Sequence, residues 1–197
     1  NNSGTVDNDG DIKNDGDIHN DKDADFNNTG KLDNNGTVDN DGNIKNDGDI
    51  QNNKDADINN TGKLDNNGTV DNNGNIKNDG NIQNNKDADF NNTGKLDNTG
   101  TVDNDGNIKN NGDIHNDKDS DFNNNGKLDN SGTLGNEGNL NNGEQGIVNN
   151  TGTVENEGNI KNDGDIQNKE DADFNNNGKL DNNGTLGNEG KLNNGED

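Results

Sequence analysis

The residues with the clearest chemical potential are aspartates that alternate with other residue types in short segments. Asp21, Asp23 and Asp25 are separated by Lys22 and Ala24. Along an extended strand, alternate side chains share one face, which predicts carboxylates about 6.5–7 Å apart. Hard cations such as calcium prefer clustered oxygen ligands, so calcium is a possible cofactor. The candidate calcium ligands in these segments are Asp21, Asp23, Asp25, Asp55, Asp57, Asp87, Asp89, Asp117, Asp119, Asp121, Asp171 and Asp173.

Two other interpretations of these segments remain open. The pattern Asp-x-Asp-x-Asp also opens an EF-hand loop, but Phe26 stands where that loop needs glycine and no glutamate closes it. The simpler alternative is a solvated acidic face with a two-residue bulge. We therefore expect calcium, if it binds, to lie between adjacent turns of the chain rather than in an EF-hand.

No set of residues predicts an enzyme. The chain has no cysteine. Its serines, Ser3, Ser120 and Ser131, lie at unrelated positions of the sequence pattern, and no histidine is placed near them in that pattern. His19 and His115 occupy a position that elsewhere holds glutamine, which indicates a surface position without a ligand or base role. Paired carboxylates occur throughout, so none is singled out for acid–base catalysis.

Composition excludes several further classes of protein. Acidic residues number 41 against 16 basic ones, for a net charge of −25, which argues against binding nucleic acid or an anionic membrane. Apolar residues make up 18% of the 197 residues, and no apolar run is long enough to insert into a membrane. Such totals are typical of disordered chains. The order of the residues indicates a regular repeat instead.

One short repeat spans the whole chain. From Asn1 onward the sequence divides into 31 modules of the pattern x-Asn-x-Gly-x-apolar, the last one cut short. The second position is Asn in every module, and the last position is apolar in every complete one. We therefore expect one continuous repeat domain over residues 1–197. Six modules have eight residues instead of six, and we call them octads; they end at Phe26, Ile58, Phe90, Phe122, Val148 and Phe174.

A period of six does not suit a helix, because glycine and asparagine recur too often and no apolar stripe forms at 3.6 residues. Extended chain suits it, with Asn and the apolar residue on one face and mostly polar residues on the other. Strands this short are stable when the chain winds into a β-solenoid, in which each strand pairs with its equivalent one turn further along. The sequence therefore predicts an all-β single solenoid.

Charge limits the number of strands per turn. Five modules per turn would stack Lys31, Lys63 and Lys95, and like charges on neighbouring strands repel each other. Two or three per turn mix Lys, Asp, Asn and Thr. We expect three strands per turn, with two as the alternative, and about ten turns in a rod about 50 Å long.

In such a solenoid the asparagines form a stacked column, and the bends fall near Asn-x-Gly, since both residues tolerate left-handed backbone angles. The predicted structural residues include Asn8, Asn14, Asn34, Asn40, Asn66, Asn72, Asn98, Asn104, Gly10, Gly36 and Gly68.

Longer blocks of sequence recur as well. Residues 123–145 return almost unchanged as 175–197, and residues 149–174 match 1–26. The end of the chain therefore fits its beginning, with only the equivalents of Gly146–Val148 missing. This predicts copies of the chain as partners, stacked head to tail into a filament. The alternative is that the chain is a fragment of a longer array.

Ice binding is a further alternative, because ranks of threonine on a flat solenoid face can order water. Thr37, Thr69, Thr101, Thr133 and Thr185 hold the same position in one class of module. They would align only with five modules per turn.

Segments such as Leu32–Val38 and Leu64–Val70 resemble the Leu-Asp-Asn-x-Gly-x-apolar runs of filamentous-haemagglutinin-type repeats. The wider pattern is similar to the Asn-x-Gly-x-Ile arrays of large bacterial surface proteins. The resemblance implies a right-handed β-helical rod that is secreted or displayed at the cell surface. This chain departs from the family in its strict six-residue period and its stronger acidity.

The functional expectation is therefore a structural extracellular protein, a subunit of a fibre or adhesin stalk in the cell surface or biofilm matrix. The alternatives are a calcium-dependent folding or binding module of a secreted protein, and an ice-binding protein.

Overall fold

The structure, a computed structural model, describes residues 1–195 and consists of four-residue strands joined by short corners. None of these residues forms a helix long and apolar enough to cross a membrane. The strands are β1 (Thr5–Asn8), β2 (Asp11–Asn14), β3 (Asp17–Asn20), β4 (Asp25–Asn28), β5 (Lys31–Asn34), β6 (Thr37–Asn40), β7 (Asn43–Asn46), β8 (Asp49–Asn52), β9 (Asp57–Asn60), β10 (Lys63–Asn66), β11 (Thr69–Asn72), β12 (Asn75–Asn78), β13 (Asn81–Asn84), β14 (Asp89–Asn92), β15 (Lys95–Asn98), β16 (Thr101–Asn104), β17 (Asn107–Asn110), β18 (Asp113–Asn116), β19 (Asp121–Asn124), β20 (Lys127–Asn130), β21 (Thr133–Asn136), β22 (Asn139–Asn142), β23 (Ile147–Asn150), β24 (Thr153–Asn156), β25 (Asn159–Asn162), β26 (Asp165–Asn168), β27 (Asp173–Asn176), β28 (Lys179–Asn182), β29 (Thr185–Asn188) and β30 (Lys191–Asn194).

Each strand from β1 to β27 pairs in parallel with the strand three places later, so the chain winds through three sheets of ten strands each. The first sheet begins with β1, the second with β2 and the third with β3. The prediction of a β-solenoid with three strands per turn and about ten turns is confirmed. Because parallel strands lie about 4.8 Å apart, the stack is about 50 Å long.

Alternation along each strand explains why so few apolar residues suffice. In β15, Leu96 and Asn98 are buried, whereas Lys95 and Asp97 point outward. The apolar residues of all three sheets meet in one thin core that contains one such residue per strand. The inward Asn of each strand closes this core beside the corner.

The glycines lie at the corners, as predicted, but the prediction that they adopt left-handed backbone angles is wrong. No glycine within residues 1–195 has a positive φ. The corners need glycine for a different reason, which is the close approach of successive turns. A Cβ at Gly36 would overlap the backbone oxygen of Gly16, and one at Gly68 would overlap that of Gly48. Gly10 lies in the first turn, and a Cβ there would meet nothing.

The octads also differ from the expectation of an extended strand. Asp21 and Ala24 close a turn in which the amide of Ala24 donates to the carbonyl of Asp21 at 3.0 Å. Asp23, at the third position of that turn, has a φ of 67°. The two extra residues leave the ladder so that Asn20 and Asp25 keep their register with the next turn. The same positive φ, between 64° and 67°, occurs at Asp55, Asp87, Asp119 and Asp171.

Candidate functional site: the asparagine ladders and the charged exterior

The inward asparagines form a continuous hydrogen-bonded ladder in each sheet. The side-chain amide of Asn98 donates to Asn116 Oδ1 at 2.7 Å, to the carbonyl of Gly100 at 3.2 Å and to that of Asp121 at 3.1 Å. Its own Oδ1 accepts from Asn78 at 2.7 Å. Since Asn98 is fully buried, these bonds offset the cost of removing its amide from water.

The asparagines predicted to stack are all buried, and each donates to its counterpart one turn further along at 2.6–2.8 Å; they are Asn8, Asn14, Asn34, Asn40, Asn66, Asn72, Asn98 and Asn104. The direction is the same in every case, from the N-terminal turn to the C-terminal turn. Each ladder therefore presents side-chain donors at one end of the solenoid and acceptors at the other.

The outward ladders separate like charges. Lys31 lies between Asp11 and Asp49 on the neighbouring strands, and Lys45 lies between Asn27 and Asp65. In none of the strand pairs within residues 1–195 do two lysines or two acidic residues face each other. This distribution reduces repulsion between neighbouring strands in a chain of net charge −25. It agrees with the prediction that three strands per turn mix the residue types.

Acidic residues at the corners accept hydrogen bonds from the next turn. Asp15 accepts from the amide of Asn35 at 2.8 Å, and Asp47 accepts from that of Asn67 at 2.6 Å. Asp47 also pairs with Lys45 at 2.7 Å. The hydrogen bonds from Lys45 and Asn67 lower the pKa of the Asp47 carboxyl, because both favour its ionised form.

The two histidines mark two places where acid stacks on acid at a corner. His19 Nε2 lies 3.1 Å from Asp21 and 3.7 Å from Asp41, which is one turn further along. His115 Nε2 lies 2.9 Å from Asp117 and 3.6 Å from Glu137. Both histidine rings are partly exposed, which agrees with the surface position expected from the sequence. Each ring also lies between two carboxylates.

Sequence reasoning missed these pairs because the two acids of each pair are 20 residues apart. The other octads contain a sequence difference that points to these histidine–acid contacts. Those that begin with Gln51, Gln83 and Gln167 have Asn53, Asn85 and Lys169 where the octads with histidine have their first acid.

The candidate calcium ligands fall into three structural positions. Asp21 and Asp117 open their turns; Asp23, Asp55, Asp87, Asp119 and Asp171 hold the positive φ; and Asp25, Asp57, Asp89, Asp121 and Asp173 begin the following strands. Four of the last group accept a hydrogen bond at 2.8–3.0 Å from an asparagine of the next turn, namely Asp25, Asp57, Asp89 and Asp121.

The solenoid does not bring the octads together. The turn at Asp23 joins the third sheet to the first, that at Asp55 joins the second to the third, and that at Asp87 joins the first to the second. Within residues 1–195 no group of three or more His, Cys, Asp or Glu side chains has the arrangement of a metal site. Calcium binding stays a prediction.

The threonines named for ice binding are likewise dispersed. Thr37 lies in the third sheet, Thr69 in the second and Thr101 in the first. Thr133 returns to the third sheet, and Thr185 to the second. With three strands per turn these residues form no rank on one face, as the sequence argument anticipated.

The parallel sheets, thin core and asparagine ladders define the class as a β-solenoid repeat protein. The family model described as "Haemagglutinin repeat" matches residues 1–68, 67–132 and 110–190. The chain belongs to this family, which confirms the resemblance to filamentous-haemagglutinin-type repeats. The family consists of adhesin-type repeat proteins, typically secreted or at the cell surface. No curated protein and no solved structure matches the chain.

Proposed function

We propose that the chain is a structural rod in an extracellular fibre or adhesin stalk, at the cell surface or in a biofilm matrix, where copies stack head to tail. The observation that carries this proposal is the common direction of the asparagine ladders. A filament needs two different ends that fit each other, because a heterologous contact that does not close continues indefinitely. Side-chain donors at one end and acceptors at the other meet that requirement.

The strand edges at the C-terminal end support the same proposal. Among the described residues, no strand pairs with the outer edges of β28, β29 and β30. Leu192 in β30 is 41% exposed, whereas its counterpart Phe174 one turn earlier is 1% exposed. Unpaired edges of this kind are templates for another strand. A second copy would pair the backbone groups and bury Leu192.

Gly10, in the first turn of the solenoid, offers a test of head-to-tail stacking. A Cβ at Gly10 would meet nothing, whereas glycines with a turn beneath them have no room for one. Gly10→Ala is therefore expected to leave the stability of the single rod unchanged. In a stacked pair the new methyl group would strike the backbone of the preceding copy, so assembly is expected to fail.

The experiment compares the purified chain with Gly10→Ala by sedimentation velocity and negative-stain electron microscopy over a range of concentrations. We expect filaments for the parent chain and single rods of unchanged Tm for the variant. Asn111→Ala, at an exposed corner in the middle of the rod, is the matched control and is expected to assemble normally. Single rods of the parent chain at all concentrations, or filaments of Gly10→Ala, would overturn the proposal.

A further inference from the structure

We propose that the next copy in the filament docks rotated by one sheet, about 120°, so that its β1 lies on β29 and its β2 on β30. This inference rests on the proposed head-to-tail stacking and specifies the contact. The chain already makes the corresponding contact within its own solenoid.

The interior of the solenoid contains a template of the junction. Residues 175–194 repeat residues 123–142 with two differences, and residues 1–20 are a close match of 149–168. In sequence, β28, β29 and β30 are therefore the counterparts of β20, β21 and β22. Asn1 and Asn2 correspond to Asn149 and Asn150, and β1 and β2 correspond to β24 and β25.

The pairing of these counterparts is visible in the chain. Strand β20 pairs with β23, β21 with β24 and β22 with β25. The asparagine ladder crosses these pairs without a break, from Asn136 to Asn156 at 2.7 Å and from Asn142 to Asn162 at 2.8 Å. The same pairing between copies places β28 under Asn1 and Asn2, β29 under β1 and β30 under β2.

Steric exclusion argues against the unrotated alternative, with β1 on β28 and β3 on β30. Asn2 pairs with Asn20 beneath β3. Seating β3 directly on β30 would put Asn2 of the second copy in the place of Asn194 of the first. The rotated arrangement avoids this overlap, because Asn2 then lies above Asn182.

Charge gives an independent argument for the same choice. In the rotated register Lys191 faces Asp11, Gly187 faces Asp7, and Asp181 faces Asn1, as Asp129 faces Asn149 in the interior. In the unrotated register Asp181 would face Asp7. Such a pair of like charges occurs between no two neighbouring strands within residues 1–195, and directly opposed like charges destabilise a sheet.

The rotated junction is not a perfect copy of the interior. In the interior Val148 lies opposite Leu128, and residues 1–195 of the second copy contain no counterpart of Val148 at this position. Leu180, the counterpart of Leu128, would border a short gap in the first sheet of the preceding copy.

Disulfide trapping distinguishes the two registers, because the chain contains no cysteine. Thr5 of the second copy faces Thr185 in the rotated register and Lys179 in the unrotated one. Directly paired strand positions lie within the Cα–Cα range of about 4.4–6.8 Å that a disulfide spans. Within one chain, β1 and β28 are about 43 Å apart along the stack, so an intramolecular bond is excluded.

Two double variants are oxidised and analysed on non-reducing gels, namely Thr5→Cys/Thr185→Cys and Thr5→Cys/Lys179→Cys. We expect the first to give a ladder of covalent multimers that reductant removes, and the second to remain monomeric on the gel. Thr133→Cys/Thr153→Cys is the positive control, since these residues are paired within the chain.

Failure of the rotated register and failure of head-to-tail stacking give different results. Multimers of only the Lys179→Cys variant would overturn the rotated register and keep head-to-tail stacking. Filaments in the microscope without covalent multimers of the Thr185→Cys variant would also overturn the register alone. Single rods of the parent chain would overturn both the register and the proposed function.

Discussion

The side-chain amide of Asn136 donates to Asn156 Oδ1, one turn further along the solenoid, at 2.7 Å, while Leu134 in the same strand faces Val154. Each strand thus contributes one polar and one apolar contact to the interior. The polar contact satisfies a buried amide and fixes the register of the turns, since a slip by one residue would turn both side chains outward. A core with so few apolar residues is stable because both columns are continuous.

Interrupting an asparagine ladder is expected to destabilise the rod. Asn104 is buried, accepts from Asn84 at 2.8 Å and donates to Asn124 at 2.7 Å. Asn104→Ala leaves Asn124 Oδ1 without its donor and removes one of the acceptors of the Asn84 amide, so the free energy of unfolding should fall by about 2 kcal/mol. Urea unfolding followed by circular dichroism measures this change. Asn107→Ala, whose exposed amide contacts Asp89, is the control, and an equal loss there would contradict the prediction.

The turns of the octads are expected to prefer glycine at their third position. Asp87 has a φ of 67°, a conformation that L-residues adopt at a cost of about 1–2 kcal/mol and β-branched residues adopt least well. Asp87→Gly should therefore match or exceed the stability of the parent chain, whereas Asp87→Val should lower the Tm. Lys86→Val tests the neighbouring position, which lacks the positive φ. Equal effects of valine at both positions would show that backbone conformation is not the cause.

Creating a row of like charges is expected to weaken the sheet in a salt-dependent manner. Lys31→Asp would place an aspartate between Asp11 and Asp49, and the expected loss is about 0.5–1 kcal/mol for each new pair. High salt should restore part of the stability, because exposed charges are screened. Lys54→Asp, at the exposed tip of an octad turn, changes the net charge equally without joining a strand ladder. The prediction fails if the two variants lose stability equally at low salt.

The lowered pKa of Asp47 predicts a local contribution to acid unfolding. A carboxyl whose pKa is lower in the folded state stabilises the protein above its ordinary pKa of about 3.9, and this contribution is lost as the pH falls through the folded pKa. Asp47→Asn should therefore be less stable than the parent chain at pH 6, and the difference should shrink towards pH 3.

The control for this titration is a double-mutant cycle with Lys45→Met, which removes the largest cause of the shift. In that background the effect of Asp47→Asn at pH 6 should be smaller. A difference between Asp47→Asn and the parent chain that is the same at pH 6 and pH 3 would show that ionisation of this carboxyl does not contribute.

Calcium binding by the octads is tested by comparing Tm in millimolar calcium and in EDTA. Ligation by residues 21–25 is expected to raise the Tm in calcium. Asp21→Asn/Asp25→Asn should reduce this increase, because amide oxygens carry no charge and bind calcium less strongly. The octad that ends at Val148 lacks aspartate, so Glu144→Gln serves as the control. An identical Tm in calcium and EDTA would contradict calcium binding.

Local sequence determined most of the architecture. The spacing of Asn and the apolar residue predicted which side chains point inward, because alternation along a strand depends on neighbouring residues alone. The positions of Lys31, Lys63 and Lys95 excluded five strands per turn, because like charges one turn apart repel. They did not distinguish three strands per turn from two, and the sheet topology shows three. The bends at Asn-x-Gly followed from the same repeat.

The tertiary structure decided the contacts between residues about 20 positions apart in the sequence, which lie on successive turns. The corner glycines are needed because the backbone of the preceding turn lies against them, and not because of left-handed angles. The octads became turns because the ladders on either side keep their register and exclude two extra residues. The contacts of His19 with Asp21 and Asp41 likewise follow from stacking of one turn on the next. Period and composition specify each turn, but only the alignment of whole turns determines which residues meet.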